Sequence, residues 1–100
     1  MYVVIRTTKL SGSAEEAVRR TRDHLVPLVE GRPGFRGYCA FVTERGDAAV
    51  SVSVFDDRDT AVDAHQRVRQ WVEANMRDLM PEQPAVRAGE TVFDSIAHPQ

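Results

Sequence analysis

The sequence predicts an α+β domain with its elements in the order β-α-β-β-α-β. Three observations carry the prediction. Residues 48–55 alternate, with Ala48, Val50, Val52 and Val54 on one face and Ala49, Ser51, Ser53 and Phe55 on the other. Period two with β-branched residues is the mark of a half-buried strand. That strand runs through Asp56-Asp57-Arg58-Asp59 straight into a long helical pattern. A second strand–helix pair precedes it, and a short hairpin joins the two halves.

Taken in order, residues 2–9 form the first strand, with Val3, Ile5 and Thr7 on one face and Tyr2, Val4, Arg6 and Thr8 on the other. Ser13-Ala14-Glu15-Glu16 reads as a capping box, serine at the cap and glutamate at N3. The helix behind it places Ala14, Ala17, Val18, Thr21, Leu25, Leu28 and Val29 on one stripe. Glu15–Arg19 and Glu16–Arg20 are i,i+4 pairs in the favourable order. Pro27 is expected to kink this helix or weaken its last turn, and Gly31 to end it. A turn at Arg32-Pro33-Gly34 leads into a second strand over residues 35–43, and Glu44-Arg45-Gly46-Asp47 closes an antiparallel hairpin with residues 48–55. The second helix starts from Asp57 as N-cap and buries Ala61, Ala64, His65, Val68, Trp71, Val72, Met76 and Leu79. Residues 85–94 form the last strand, with a bulge expected at Gly89.

This order predicts the ferredoxin-like arrangement, a four-stranded antiparallel sheet with both helices on one face. Helices cover one face only, yet both faces carry apolar residues. The expected cover for the other is a second copy, giving a homodimer through the sheet face. The domain is expected to span residues 1–95, with a loose tail over 96–100.

Size and composition exclude several classes. One hundred residues make one domain with one modest core. A net charge of −2 generates no strong field for nucleic acid or an anionic membrane. Sheets of this arrangement that bind RNA need exposed aromatics and a basic face. The central strands offer Val4, Arg6, Ser51 and Ser53 instead, so nucleic acid is not an expected partner. No apolar run approaches the length of a membrane span, and no leader precedes the first strand, so the expected location is the cytoplasm. Lys9 is the only lysine among thirteen basic residues, a usage that points to a GC-rich bacterial genome. Cys39 is alone, closes no internal disulfide, and is expected to be a buried, inert thiol. His24 and His65 fall on separate helices without a third ligand, so no metal site is expected.

Pro33-Gly34-Phe35-Arg36-Gly37-Tyr38, Ser53-Val54-Phe55-Asp56-Asp57-Arg58 and Trp71-Val72-Glu73-Ala74-Asn75 resemble the antibiotic biosynthesis monooxygenase domains of the dimeric α/β-barrel superfamily. The resemblance spans residues 2–94. It implies homodimers whose sheets pack into a barrel, with a ligand cleft between the sheet and helices of each subunit. Some members oxidise aromatic polyketide phenols with molecular oxygen and neither metal nor flavin; others degrade haem; many have no known activity. Trp71 stands on the second helix, as a functional tryptophan does in both active branches. The polyketide branch has an asparagine one turn before that tryptophan, where this chain has Arg67. The haem branch has an asparagine on the first strand and a histidine about ten residues past the tryptophan. Here those places hold Arg6-Thr7-Thr8 and Pro81, which disfavours haem.

Two functions follow. In the first, the chain is a cofactor-independent monooxygenase acting on an aromatic, polyketide-like small molecule. His65, with an ordinary pKa near neutrality, takes the phenolic proton. Trp71 and Phe55 form walls, Asn75 reaches the same pocket, and Tyr38 and Arg6 bind the substrate. Arg36 and Arg87 are further strand arginines with a possible anion role. In the second, the chain is a non-catalytic dimer that binds a small molecule or serves a structural role. Each of these side chains also has a plain packing or surface role, and the sequence leaves both open.

Overall fold

The computed structural model describes residues 1–95; the tail expected over residues 96–100 lies outside them. The chain forms β1 (Tyr2–Lys9), α1 (Ala14–Arg20), a π-helical stretch (Thr21–Leu25), α2 (Val26–Glu30), β2 (Phe35–Val42), β3 (Ala48–Phe55), α3 (Arg58–Asn75) and β4 (Ala85–Glu90). The four strands make one antiparallel sheet in the order β2-β3-β1-β4, the ferredoxin-like topology.

The sheet register decides which side chains meet the helices. Arg6 pairs with Ser51, Val4 with Ser53, and Tyr2 with Phe55. Val4, Arg6, Thr8, Ser53 and Phe55 are all buried, so this is the face the helices cover. The main core joins Val4 and Phe55 to Leu25, Val29, Ala61, Ala64 and Val68. Phe55 is its largest fully buried side chain, and burying such a ring contributes about 1.5–3 kcal/mol. A second cluster joins Ala17 to Met76 and Leu79. Arg6, expected to bind substrate in the cleft, therefore lies on the helix side of the sheet, and Ser51 and Ser53 lie on that side with Phe55. Alternation along a single strand does not say which of its faces the helices meet. The valine-rich face looks outward, carrying Ile5 at 38% and Phe41 at 56% exposure. Cys39 lies on that outward face and is exposed, not buried, because the helices cover the opposite face.

The first helix is not continuous. Pro27 has no N–H to give to the carbonyl of Asp23, and one turn earlier the chain widens: the N–H of Val26 donates to the carbonyl of Thr21, five residues back. Ser13 accepts from the N–H of Glu16 at 3.2 Å, but Glu16 does not close the box. Its carboxylate accepts from Arg19 Nε at 2.9 Å and Arg20 Nε at 2.8 Å, so Arg19 pairs with Glu16 and not, as expected, with Glu15.

At the start of α3, Asp57 accepts from the N–H of Thr60 at 2.9 Å, and Thr60 returns a bond to the Asp57 backbone. The helix ends at Asn75, earlier than expected. The Asn75 amide donates to the carbonyl of Trp71 at 2.9 Å, and Arg20 donates to the freed Asn75 carbonyl at 3.0 Å and to both Asp78 carboxylate oxygens. Met76 and Leu79 stay buried in the turn that follows.

The last strand stops at Glu90 and not at Asp94. Glu90 pairs with Tyr2, and the Thr91 N–H makes a further bond to the Met1 carbonyl, where the partner strand runs out. Gly89 pairs in register with Val3 and forms no bulge; the irregularity lies between Phe35 and Gly37 in β2. Among the described residues no helix is long and apolar enough to cross a membrane.

Candidate functional site

A chamber of about 70 Å³ lies between the sheet and the helices. Its floor is polar although it sits in the core. β1 supplies Arg6 and Thr8, β2 supplies Tyr38, and β3 supplies Ser51 and Ser53. These residues converge because the register stacks them: Arg6 opposite Ser51, and Tyr38 opposite Ser53. Phe55, Leu25 and Val68 provide apolar walls, Thr21 enters from the π-helical stretch, and His65 faces in from α3.

Arg6 is the unusual member. Its side chain is only 7% exposed, and its Nη1 has no hydrogen-bond partner. A buried cation without a counter-ion is costly, and a buried donor without an acceptor adds to the cost. Burial lowers the Arg6 pKa, the Tyr38 hydroxyl opposes that shift, and Arg69 reinforces it; arginine nonetheless remains charged. Burial raises the Tyr38 pKa against a hydrogen bond with Ser51 and the field of Arg6. The phenol therefore stays protonated and able to donate. His65 is pushed below its ordinary value by burial, then by Arg6 and Arg69. At neutral pH its imidazole is uncharged and able to accept a proton.

A cleft of about 270 Å³ against β4 shares Val4, Ala61 and His65 with the chamber, and two further clefts adjoin it. One of about 270 Å³ shares Thr21, Tyr38 and Ala40 with it and is lined mainly by apolar groups of α1 and β2, among them Ala17, Val18 and Phe41. The other, about 280 Å³, shares Arg6 and His65 and opens past Arg69, Glu73, Arg77 and Glu82.

Of the residues expected at a site, Arg6, Tyr38, Phe55 and His65 meet in the chamber. Trp71 and Asn75 do not. They border a separate groove with Arg19, Arg20 and His24, in which the His24 and Trp71 rings lie 6.3 Å apart. His65 and Trp71 are six positions apart, which separates them by about 120° around a helix. Arg36 pairs with Asp56 outside the chamber, and Arg87 shares the outward face with Ile5. Sequence reasoning missed Thr8, Ser51 and Ser53 as site residues. The available signal was that polar residues align across β1, β2 and β3 once the register is known. Among the described residues there is no group of three or more His, Cys, Asp or Glu able to hold a metal.

The sequence profile of the antibiotic biosynthesis monooxygenase (ABM) family matches residues 1–77. The chain belongs to that family. The part of this ABM chain that matches carries Arg6, Tyr38, Phe55 and His65; β4 lies beyond it. No curated protein matches the sequence. Among solved structures, a Nitrosomonas europaea protein of unknown function superposes with a TM-score of 0.78 at 15% identity, covering 98% of this chain and 95% of that one. A monooxygenase from the Streptomyces coelicolor gene ActVA-Orf6, in complex with nanaomycin D, gives 0.77 at 14% identity, covering 97% and 92%. The Mycobacterium tuberculosis protein Rv0793 gives 0.76 at 17% identity, covering 95% and 98%. At these identities the likeness establishes the fold.

Proposed function

We propose that this ABM chain is a cofactor-independent monooxygenase of an aromatic, polyketide-like phenol. The observation that carries the reading is the chamber itself, where a neutral imidazole, a protonated phenol and a buried guanidinium converge among apolar walls. His65 takes the proton of the substrate phenol, and Arg6 and Tyr38 stabilise the resulting anion. The electron-rich anion supplies the electrons. One oxygen atom of O2 becomes a quinone carbonyl and the other leaves as water. Phe55, Leu25 and Val68 keep bulk water out. Trp71 and Asn75, outside the chamber, serve in this reading to pack α3 against α1 and to end α3.

The active form in this proposal is a homodimer in the bacterial cytoplasm, with the outward sheet faces together. Support comes from the exposed apolar side chains there, Ile5 and Phe41, and from Val92 and Phe93, which are 93% and 88% exposed.

Oxygen uptake with a tricyclic anthrol tests the catalytic reading. His65→Ala should lower the rate by about two to four orders of magnitude, the usual worth of a positioned base, while Trp71→Phe should leave it within about threefold, since Trp71 does not line the chamber. Wild-type rate should hold down to a pH below 6.5, because the His65 pKa is lowered, and fall once the imidazole takes a proton. An unchanged rate in His65→Ala refutes the assignment. A second reading, a non-catalytic dimer that binds a small molecule, is favoured by one observation: the helix-borne Trp71 and Asn75 stand away from His65. Ligand binding without oxygen uptake would support it.

A further inference from the structure

The chamber lining includes one cation, Arg6, and no Asp or Glu. The ion pairs made by the other arginines, such as Arg20 with Glu16 and Asp78 or Arg32 with Asp63, lie nearer the surface. Arg6 alone combines near-complete burial with a guanidinium nitrogen that has nothing to donate to. Thr8, Tyr38, Ser51 and Ser53 around it are hydroxyls, all able to donate. Hydroxyls that can turn a proton inward, around an unpaired cation and with no carboxylate in the lining, are complementary to an anion.

Size narrows the choice. About 70 Å³ is less than the ~150 Å³ cavity that holds a benzene ring. The chamber fits a head group of a few atoms, and a larger body belongs in the adjoining apolar cleft of about 270 Å³ beyond Tyr38. Charge narrows it further. A phenol arrives neutral and leaves Arg6 unpaired until its proton is lost. A carboxylate arrives already ionised and makes charge-assisted, bidentate bonds to a guanidinium.

We infer that the ligand of this chamber carries a permanent oxyanion, a carboxylate, which pairs with the buried Arg6 guanidinium while an apolar body occupies the cleft beyond Tyr38. The inference rests on the reading of the chamber as the binding site, and adds the class of molecule it takes. In an oxygenase, the carboxylate takes the place on Arg6 that a phenolate would otherwise fill, and anchors the substrate there.

Calorimetric titration with 2-naphthoate and its neutral isostere 2-naphthamide tests this on the wild-type protein. Naphthoate should bind about tenfold tighter or more, the worth of a charge-assisted bond. Arg6→Met should erase the difference by weakening naphthoate alone, whereas Arg6→Lys should keep part of it, and Arg45→Gln, on the exposed hairpin, should leave it unchanged. Should the Arg6 variants fail to fold, a shift of the buried guanidinium 15N signal of the wild-type protein on adding naphthoate, but not naphthamide, serves in their place. Equal affinity of the two probes, a preference that survives Arg6→Met, or an unmoved guanidinium signal overturns the inference. If naphthamide binds as well as naphthoate, the aromatic site stands and only the anion is wrong. If neither binds, the chamber reading falls and takes this one with it. A naphthoate preference without anthrol-dependent oxygen uptake sinks the oxygenase and leaves the carboxylate site.

Discussion

Replacing Gly34 with alanine should strongly destabilise this protein, although the site lies outside the chamber. Gly34 is the centre of the Pro33-Gly34-Phe35 turn and holds φ at +77°. An alanine there adopts a left-handed backbone at a cost of roughly 1–2 kcal/mol. Its Cβ would also fall 2.7–2.8 Å from three side-chain atoms of Thr60, a residue locked into the cap of α3 by its bonds to Asp57. Relieving that overlap shifts either the turn or the helix start, at about 1–3 kcal/mol for overpacking. The sum, about 2–5 kcal/mol, is a large share of the 5–15 kcal/mol typical of a whole domain. It corresponds to a fall in Tm on the order of 15 °C. Urea unfolding at fixed protein concentration measures it. A double-mutant cycle with Thr60→Gly separates the two causes, since without the threonine side chain only the backbone cost of Gly34→Ala remains. A coupling energy near zero, or a Gly34→Ala variant within about 0.5 kcal/mol of wild type, refutes the reasoning.

Acid should dissolve the link between α1 and the end of α3. Glu16 is held at about 2 by its hydrogen bonds to Arg19 and Arg20, and Asp78 is lowered by Arg20. Folded-state values below the unfolded ones stabilise the protein above the unfolded pKa. That stabilisation is lost as pH falls from about 4.5 toward 2. In Arg20→Ala the slope of stability against pH across that window should flatten, as read by thermal unfolding in a pH series. An aspartate on the outward sheet face, Val52→Asp, should convert a dimer to a folded monomer in sedimentation velocity, leaving the circular dichroism spectrum intact. A variant that stays dimeric places the contact elsewhere.

The strands and helix starts were legible in the sequence because each is set by local chemistry. Alternation marks β1 and β3, and Ser13 and Asp57 cap their helices through bonds to residues three positions on. Endings were less legible where they depend on distant partners. α3 stops where Arg20 reaches the carbonyl of Asn75, and β4 stops where β1 runs out. The chamber was half legible. Arg6, Tyr38, Phe55 and His65 were named from residue type and helical stripe, but Ser51 and Ser53, on the same face as Phe55, were not recognised as part of the site. Which face of a sheet receives the helices follows from how strands and helices dock together, and no single strand carries that information. Trp71 was grouped with His65 because both border the buried stripe of α3, yet they look out from opposite margins of it.

The widened turn at Thr21–Leu25 divides labour between the two ends of the first helix. Ala17 before it serves the Met76 and Leu79 cluster, while Leu25 and Val29 serve the core around Phe55. Thr21 sits at the seam, half-buried, and lines both the chamber and the apolar cleft. It belongs to neither cluster, so the volume of its side chain shapes the passage between the two spaces without being a keystone of either. At Thr21 the width of that passage is set by one side chain, whereas Phe55, Leu25 and Val68 hold the fold and wall the chamber at once.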